Sequence, residues 1–339
     1  MNHRAVRRSP GPWVLVLLLL GAEWVDTRQT KQDGSSAQVT RVLWRDPGPI
    51  AVRDLSWRSD PTHQPPIPPF TLVKKDTSGT RIKVVVKDIN GVTWNVKLAD
   101  GPDAPGEVHS EVAAARLAWA LGYFAEESYY VADGAIEGAA KLGRASKAIG
   151  PDGRFRIARF EKRPAEIVRT GDGWSFDRNP FVGTKELSGL MILMTMTNSW
   201  DLGGTRNMTV LKAPGENGAG ELRYLVSDLG ATFGRMDRAA LVRHRTKWSL
   251  EDFRKQKFID RATKEFLDLH FTGDGAIDLV PMAHARWFAG LVTQLTAEQL
   301  RQAFEVAGAT PEEVDGFSAR LLEKINLLNS AVVLSAARR

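Results

Sequence analysis

The sequence contains no cysteine among its 339 residues. This absence excludes disulfide bonds, cysteine nucleophiles and thiolate metal sites. Two common hydrolase signatures are also missing, since the chain has neither an H-E-x-x-H pair nor a G-x-S-x-G elbow. A zinc hydrolase and a serine hydrolase of the elbow type are therefore disfavoured.

Positive charge is in small excess. The sequence has 46 Lys and Arg residues against 40 Asp and Glu residues, a formal net charge of +6. Arg4, Arg7 and Arg8 supply three of these charges within the first 22 residues, which contain no acid, so the remainder stands at +3. A remainder of this size does not support nucleic-acid binding, and we expect no nucleic-acid partner. With 43% hydrophobic and 25% charged residues, the chain has the composition of a folded protein.

The N-terminal segment has the pattern of a secretory signal peptide. Arg7 and Arg8 precede an apolar run over residues 13–22, which ends in small residues. This pattern predicts a signal peptide over residues 1–22 and a secreted or periplasmic protein. The run is shorter than the roughly 20 apolar residues of a comfortable transmembrane helix. The alternative is an uncleaved N-terminal anchor, and only then would the chain contact a membrane.

Prolines dominate the next segment. Five of them crowd into residues 61–69 and favour extended, polyproline-like backbone. We therefore expect a proline-rich tether over residues 23–69 and a folded part that begins near Phe70.

A β-hairpin and a helix are predicted at the start of the folded part. Residues 82–88 are rich in β-branched side chains, Asn90-Gly91 is a strong hairpin signal, and residues 92–98 alternate apolar with polar. Val108, Val112, Ala115 and Trp119 then recur on one helical face. Gly122 is a plausible end to this helix, and residues 155–160 have the composition of a strand.

The second half of the chain is mainly helical. A buried helix is expected from Thr184, followed by a polar loop over 198–207 and two short strands at 208–211 and 222–226, with a glycine-rich turn between them. Further on, Thr296 with Gln299 and Thr310 with Glu313 fit capping boxes. The expected fold class is α+β with two lobes. A β-rich N-lobe with one helix and a hinge would occupy residues 70–165, and a helical C-lobe residues 166–339.

Five polar residues fall at informative places in this layout. They are Lys97 at the end of the second hairpin strand, Glu111 on the following helix, Asp201 and Asn207 in the polar loop, and Asp228 in D-L-G after the last strand. Lysine can neutralise phosphate charge, a helix glutamate can hold that lysine by an ion pair, and hard oxygen ligands suit magnesium. Phosphoryl transfer needs these parts and little else, because positioning and charge neutralisation supply the catalysis.

In this order of residues and elements, the sequence resembles the protein-kinase-like superfamily. It is most similar to the atypical HipA-like and phosphatidylinositol-kinase-like branches, over roughly residues 70–270. The resemblance implies ATP and Mg²⁺ as cofactors, with nucleotide contacts by Lys97 and Glu111. It also implies Asp201 as the catalytic aspartate, Asn207 and Asp228 as metal ligands, and the stretch at 159–163 as the hinge.

The sequence departs from the family pattern in three places. The glycine-rich phosphate loop is reduced to Ser78-Gly79-Thr80, and no His-Arg motif precedes Asp201. Asn207 follows Asp201 by six residues, one more than in the H-R-D-x-x-x-x-N pattern. Two functions therefore stay open: transfer of the ATP γ-phosphoryl group to a hydroxyl on a protein, lipid or small molecule, and a catalytically silent binding module. Taken singly, each of the five residues also fits a solvated or turn-forming role.

Overall fold

A computed structural model describes residues 39–76, 83–101, 104–139, 148–203, 207–215, 220–236, 245–274 and 277–337. The predicted signal peptide, the first part of the predicted tether, and the Ser78-Gly79-Thr80 loop lie outside these ranges. Within them, no helix combines the length and the apolar character needed to cross a membrane.

The described residues form twelve β-strands and six α-helices. The strands are β1 (Thr40–Val42), β2 (Phe70–Asp76), β3 (Lys83–Lys87), β4 (Thr93–Leu98), β5 (Ser128–Glu137), β6 (Arg154–Lys162), β7 (Val168–Gly173), β8 (Met208–Pro214), β9 (Gly220–Val226), β10 (Ile259–Ala262), β11 (Phe266–Leu269) and β12 (Val280–Pro281). The helices are α1 (Ala104–Ala120), α2 (Lys185–Met196), α3 (Leu250–Lys255), α4 (Met282–Val292), α5 (Ala297–Glu305) and α6 (Pro311–Ala337). The chain is thus a mixed α and β protein, as expected.

The first half of the fold is a closed barrel with the strand order β2-β3-β4-β6-β5. The predicted hairpin is β3–β4, where Lys87 pairs with Thr93 across the turn. Asp88 fixes this turn, because its carboxylate accepts the N–H groups of Asn90 and Val92. Along β4 the apolar side chains fill the barrel core, so the polar side chains between them face outward, towards α1 and the cleft described below.

Helix α1 is almost entirely buried, because it packs against the barrel on one side and the helical half on the other. Its run of small alanine side chains permits this close approach on both faces. The helix ends at Ala120, and Gly122 follows with a φ of +87°. A Cβ at Gly122 would lie 2.2 Å from the carbonyl oxygen of Arg45, so glycine is required there by both conformation and space.

The second half combines helices with small sheets. The Thr184 hydroxyl accepts the N–H of Leu187 and starts α2, whose side chains are buried over nearly its whole length. Strands β8 and β9 form an antiparallel pair in a four-stranded sheet of order β1-β9-β8-β7. Both predicted capping boxes are present at the starts of α5 and α6.

Residues 39–57 differ from the expected tether, because they pack onto the folded body. Strand β1 pairs in parallel with β9, and Leu43, Ile50 and Leu55 are buried in the main core. The Gln299 side chain donates to the carbonyl oxygen of Ile50 at 2.7 Å. The apolar side chains that anchor the segment lie before the proline-rich stretch, whereas Ile67, between those prolines, is exposed.

A buried lysine joins the C-terminal helix to the loop that precedes Asp201. Lys324 on α6 has no solvent exposure, and its amine donates to the carbonyl oxygen of Met196 and to Oδ1 of Asn198, both at 2.9 Å. The amine also lies 4.1 Å from the ring centre of Phe253. Burial, together with the charge of Arg320, holds the pKa of Lys324 well below its ordinary value.

We predict that Lys324→Met lowers the free energy of unfolding by about 1–3 kcal/mol, because two buried acceptors lose their donor. The unfolded chain keeps an ordinary lysine and binds this proton up to a higher pH than the native state does. The native state should therefore gain stability relative to the variant as the pH rises toward about 10. Urea unfolding at pH 7, 8 and 9 measures this. Lys264→Met, at an exposed lysine, is the control, and identical pH profiles for wild type and Lys324→Met would contradict the prediction.

Candidate functional site

All five residues predicted from the sequence line one cavity of about 950 Å³. The walls come from the outer faces of β3, β4 and β6, from α1 and β7, and from the loops around β8 and β9. The residues that meet there are Lys97, Glu111, Asp201, Asn207 and Asp228. We call this cavity the cleft.

The Glu111 carboxyl lies at the base of the cleft between two cations. Burial and the charge of Asp228 raise its pKa, and the charges of Arg159 and Lys97 oppose this rise. The exposed fraction of Glu111 is 2%, and that of Lys97 is 5%. The Lys97 amine donates to Oε1 of Glu111, which is the ion pair expected from the sequence. The Arg159 guanidinium lies 2.7 Å from Oε2. Burial alone would lower the pKa of Lys97, but the charges of Glu111 and Asp228 outweigh burial and raise it, so Lys97 stays cationic.

Asp228 lies beside this pair and opens onto the cavity. Its Oδ1 is 3.8 Å from the Lys97 amine, and 48% of its side chain is exposed to the cleft. Burial raises the pKa of Asp228, yet Lys97 and the hydrogen bonds to its carboxyl outweigh burial and lower it to about 2. Asp228 is therefore an anion at neutral pH and can attract a cation.

The glycine of D-L-G permits the close approach of this segment to α1. A Cβ at Gly230 would lie 3.0 Å from Oε1 of Glu111 and 3.3 Å from Oδ1 of Asp228. The Gly230 N–H donates to the same Asp228 oxygen at 3.3 Å. A Cβ at this position would require these neighbouring side chains to shift by a few tenths of an ångström.

Two hydrogen bonds between backbone groups and one from the Asn207 side chain hold Asp201 and Asn207 near Asp228. The Trp200 N–H donates to the carbonyl oxygen of Ala231 at 3.0 Å, which ties the loop after α2 to the D-L-G segment. The Asn207 amide donates to the backbone carbonyl of Asp201 at 2.9 Å, and the Ser227 N–H donates to the carbonyl of Asn207 at 2.7 Å. Asn207 enters β8 and Asp228 follows β9, so the β8–β9 hairpin holds them together.

Asp201 and Asp228 face each other as like charges. Burial raises the pKa of Asp201, and the charge of Asp228 raises it further, while a hydrogen bond from Asn207 partly opposes this. Two carboxylates and one amide thus meet in a half-buried place. A bound cation would relieve the repulsion between the two carboxylates.

Sequence reasoning missed Arg159 as a site residue and assigned its segment to a hinge. The structure places Arg159 directly opposite Lys97 on neighbouring strands. The signal was in the sequence, since Phe160 is apolar between Arg159 and Glu161, and this alternation predicts two polar side chains on the outer face of the barrel.

The lining of the cleft is mostly charged. Of the twenty described residues around it, six are Lys or Arg and eight are Asp or Glu, and Ala231 is the only apolar side chain among them. One acidic pair, Glu126 and Glu161, lies near Arg169; burial and the charge of Glu161 raise the pKa of Glu126 to about 7. Such a lining suits a ligand that carries both negative and positive charge, as a metal-bound phosphate does.

We predict that Glu111→Gln lowers the free energy of unfolding by about 3 kcal/mol, because it breaks a buried ion pair. The value is at the low end for such a change, since Lys97 and Arg159 keep their other carboxylate neighbours. Equilibrium unfolding in urea measures the difference. Glu166→Gln, at an exposed glutamate, is the matched control. Equal stability of the two variants would show that the Glu111 charge does not hold this part of the fold together.

No family model matches the chain, and no curated protein matches it significantly. Solved structures that are similar to it at low identity include three of kinases. The crystal structure of the Golgi casein kinase is 10% identical with a TM-score of 0.40, covering 82% of this chain and 76% of that one. The same kinase with Mn/ADP bound is 11% identical with a TM-score of 0.38, covering 79% and 74%. The Rio2 kinase-ADP/Mg²⁺-phosphoaspartate complex from Chaetomium thermophilum is 10% identical with a TM-score of 0.31, covering 76% and 72%. Because these TM-scores are low, we base the functional proposal on the cleft itself.

Proposed function

We propose that the chain is an exported, atypical kinase-like protein that binds ATP and Mg²⁺ in the cleft. It transfers the γ-phosphoryl group to a hydroxyl of a protein, a lipid or a small molecule. The observation that supports this proposal best is the meeting of five residues, far apart in sequence, on one cavity.

The residues at the cleft fit magnesium by their chemistry. Asp201 and Asp228 offer carboxylate oxygens, Asn207 offers an amide oxygen, and magnesium prefers such hard ligands. Among the described residues, no three His, Cys, Asp or Glu side chains form a ready-made metal site. Magnesium is commonly held by one or two carboxylates, while phosphate oxygens and water complete its shell.

The side chains of the cleft would have separate tasks. Lys97 is a buried cation that neutralises phosphate charge, and Glu111 with Arg159 fixes its position. Asp201 receives or orients the proton of the acceptor hydroxyl, and its raised pKa brings it closer to the pH at which a general base works best. Asn207 and Asp228 would hold the metal, which when bound offsets the negative charge of the phosphates.

A two-lobed kinase-like arrangement is part of the proposal. Two separate apolar cores support it, one inside the barrel and a larger one among the helices. The cleft takes its lining from elements around both cores. In this arrangement the barrel with α1 is the N-lobe and the helical half is the C-lobe.

We predict that Asp228→Asn keeps the fold and loses magnesium-dependent nucleotide binding. Asparagine has nearly the same size and can accept the Gly230 N–H, but it lacks the charge that offsets the dehydration of magnesium. Wild type at a Mg–ATP concentration of 100 times its dissociation constant should gain about 2.7 kcal/mol, a clear thermal shift. Asp172→Asn, at an exposed residue that also lines the cleft, is the control. Equal stabilisation of wild type and Asp228→Asn would reduce Asp228 to a turn residue.

A measurement of phosphoryl transfer distinguishes the two functions left open by the sequence, a kinase and a catalytically silent binding module. We predict that Asp201→Asn retains Mg–ATP binding and loses most of the phosphate incorporation into an acceptor, by about a hundredfold or more, because general-base catalysis contributes 10²–10⁴-fold. Radiolabelled γ-phosphate incorporation measures this. If the wild type binds Mg–ATP and transfers no phosphate to any acceptor, the protein is a silent binding module.

If the protein is exported as proposed, its N-terminus can be predicted. Cleavage of the predicted signal peptide should leave a mature chain that begins shortly after Ala22, because small residues follow the apolar run there. N-terminal sequencing of the exported protein checks this. An intact Met1 in a membrane fraction would instead support an uncleaved anchor.

A further inference from the structure

Lys83 is a second lysine of the cleft. It begins β3 and lies directly opposite Lys97 on β4, and both side chains line the cavity. Like charges directly opposite each other on neighbouring strands destabilise a sheet. The sheet thus carries an electrostatic cost at the wall of the cleft.

The two lysines differ in their partners. Lys97 has Glu111 and Asp228 beside it. For Lys83, no carboxylate of the described residues lies within the 4.0 Å of an ion pair. Asp76 is its neighbour in register on β2, and the Asp76 carboxylate accepts the side-chain amide of Asn95 at 3.3 Å.

The surroundings of Lys83 favour an anion from outside the protein. Burial and the positive charges of Lys97 and Arg159 lower the pKa of Lys83, and the charges of Asp228 and Glu111 oppose this only in part. Glu111 does not form an ion pair with Lys83, because its carboxylate already pairs with Lys97 and Arg159. The segment 77–82, which leads into β3, contains no acidic residue.

We propose that Lys83 is a second phosphate-binding residue of the cleft, and that the ligand carries at least two linked phosphate groups. Directly opposed residues on antiparallel strands have Cα atoms about 4.5–5.5 Å apart, so the two amines can contact neighbouring phosphates of one chain. A lysine ammonium is a mobile point charge that suits phosphate oxygens. Arg159, by contrast, is engaged by Glu111 and Glu161. The proposal rests on the proposed function for the place of the phosphates, and it does not depend on transfer.

The test compares Lys83→Gln with Lys87→Gln, an exposed lysine at the other end of the same strand. Isothermal titration gives the affinity for Mg–ATP, Mg–AMP and inorganic triphosphate, and thermal unfolding gives the stability without ligand. We expect Lys83→Gln to weaken Mg–ATP and triphosphate binding about tenfold, the size of one charge-assisted contact, and to leave AMP binding nearly unchanged. Without ligand, Lys83→Gln should raise the melting temperature slightly, because the repulsion from Lys97 is gone. A purely structural role would not combine higher stability with weaker polyanion binding, and Lys83→Arg should restore most of the affinity.

The outcomes separate this proposal from the proposed function. Wild type and Lys83→Gln binding Mg–ATP equally would overturn the role of Lys83 and leave the kinase proposal standing. Triphosphate binding that depends on Lys83, without binding of ATP, would support the polyanion site and overturn ATP as the ligand. An equal loss in Lys87→Gln would reduce the effect to general charge and overturn the site. No binding of ATP or triphosphate by wild type would overturn both.

Discussion

The arrangement around the cleft depends on one buried carboxylate, that of Glu111. An ion taken out of water costs several kcal/mol unless opposite charges and hydrogen bonds compensate it. Lys97 from β4 and Arg159 from β6 supply this compensation, so the helix that carries Glu111 must lie at one position against the barrel wall. Asp228 then completes the charge balance on the open side of the pair. Pairing, rather than apolar packing alone, sets the distance between α1 and the barrel.

The position of Asp201 follows from α1 through the backbone. The Ser110 hydroxyl on α1 donates to the carbonyl oxygen of Thr232 at 3.0 Å, which holds the segment after Asp228. That segment in turn accepts the N–H of Trp200 through Ala231. The lysine that would neutralise phosphate and the aspartate that would receive a proton are therefore linked through a short series of hydrogen bonds. Gly230 permits the close approach of this segment to α1, because it has no side chain between Glu111 and Asp228.

Much of this could be predicted from the sequence, and the exceptions have physical causes. The Asn90-Gly91 signal predicts the hairpin, but a two-residue loop would place Lys83 opposite Leu98. The loop has three residues, 89–91, so the facing of Lys83 and Lys97 could not be derived from the turn. That no carboxylate of the described residues pairs with Lys83 could not be derived either, because this depends on elements distant in sequence. The proline content of residues 61–69 describes local backbone preference and carries no information on Gln299, which binds the segment that precedes them. Arg159 was missed because the resemblance assigned its segment to a hinge, whereas strand alternation assigns it to the cleft.

The cleft contains two pairs of like charges, one of carboxylates and one of lysines, and a single ligand could be complementary to both pairs. Asp201 and Asp228 repel each other and would be stabilised by a cation, while Lys83 and Lys97 repel each other and would be stabilised by an anion. Glu111 is already shared by Lys97 and Arg159, and Asp228 lies beside Lys97, so neither carboxylate forms an ion pair with Lys83. A bare anion would stabilise the lysines and leave the carboxylates unrelieved, and a bare cation would do the reverse. A polyphosphate with its divalent metal offers both charges in one species, which is why the charge pattern of the cleft favours such a ligand over either ion alone.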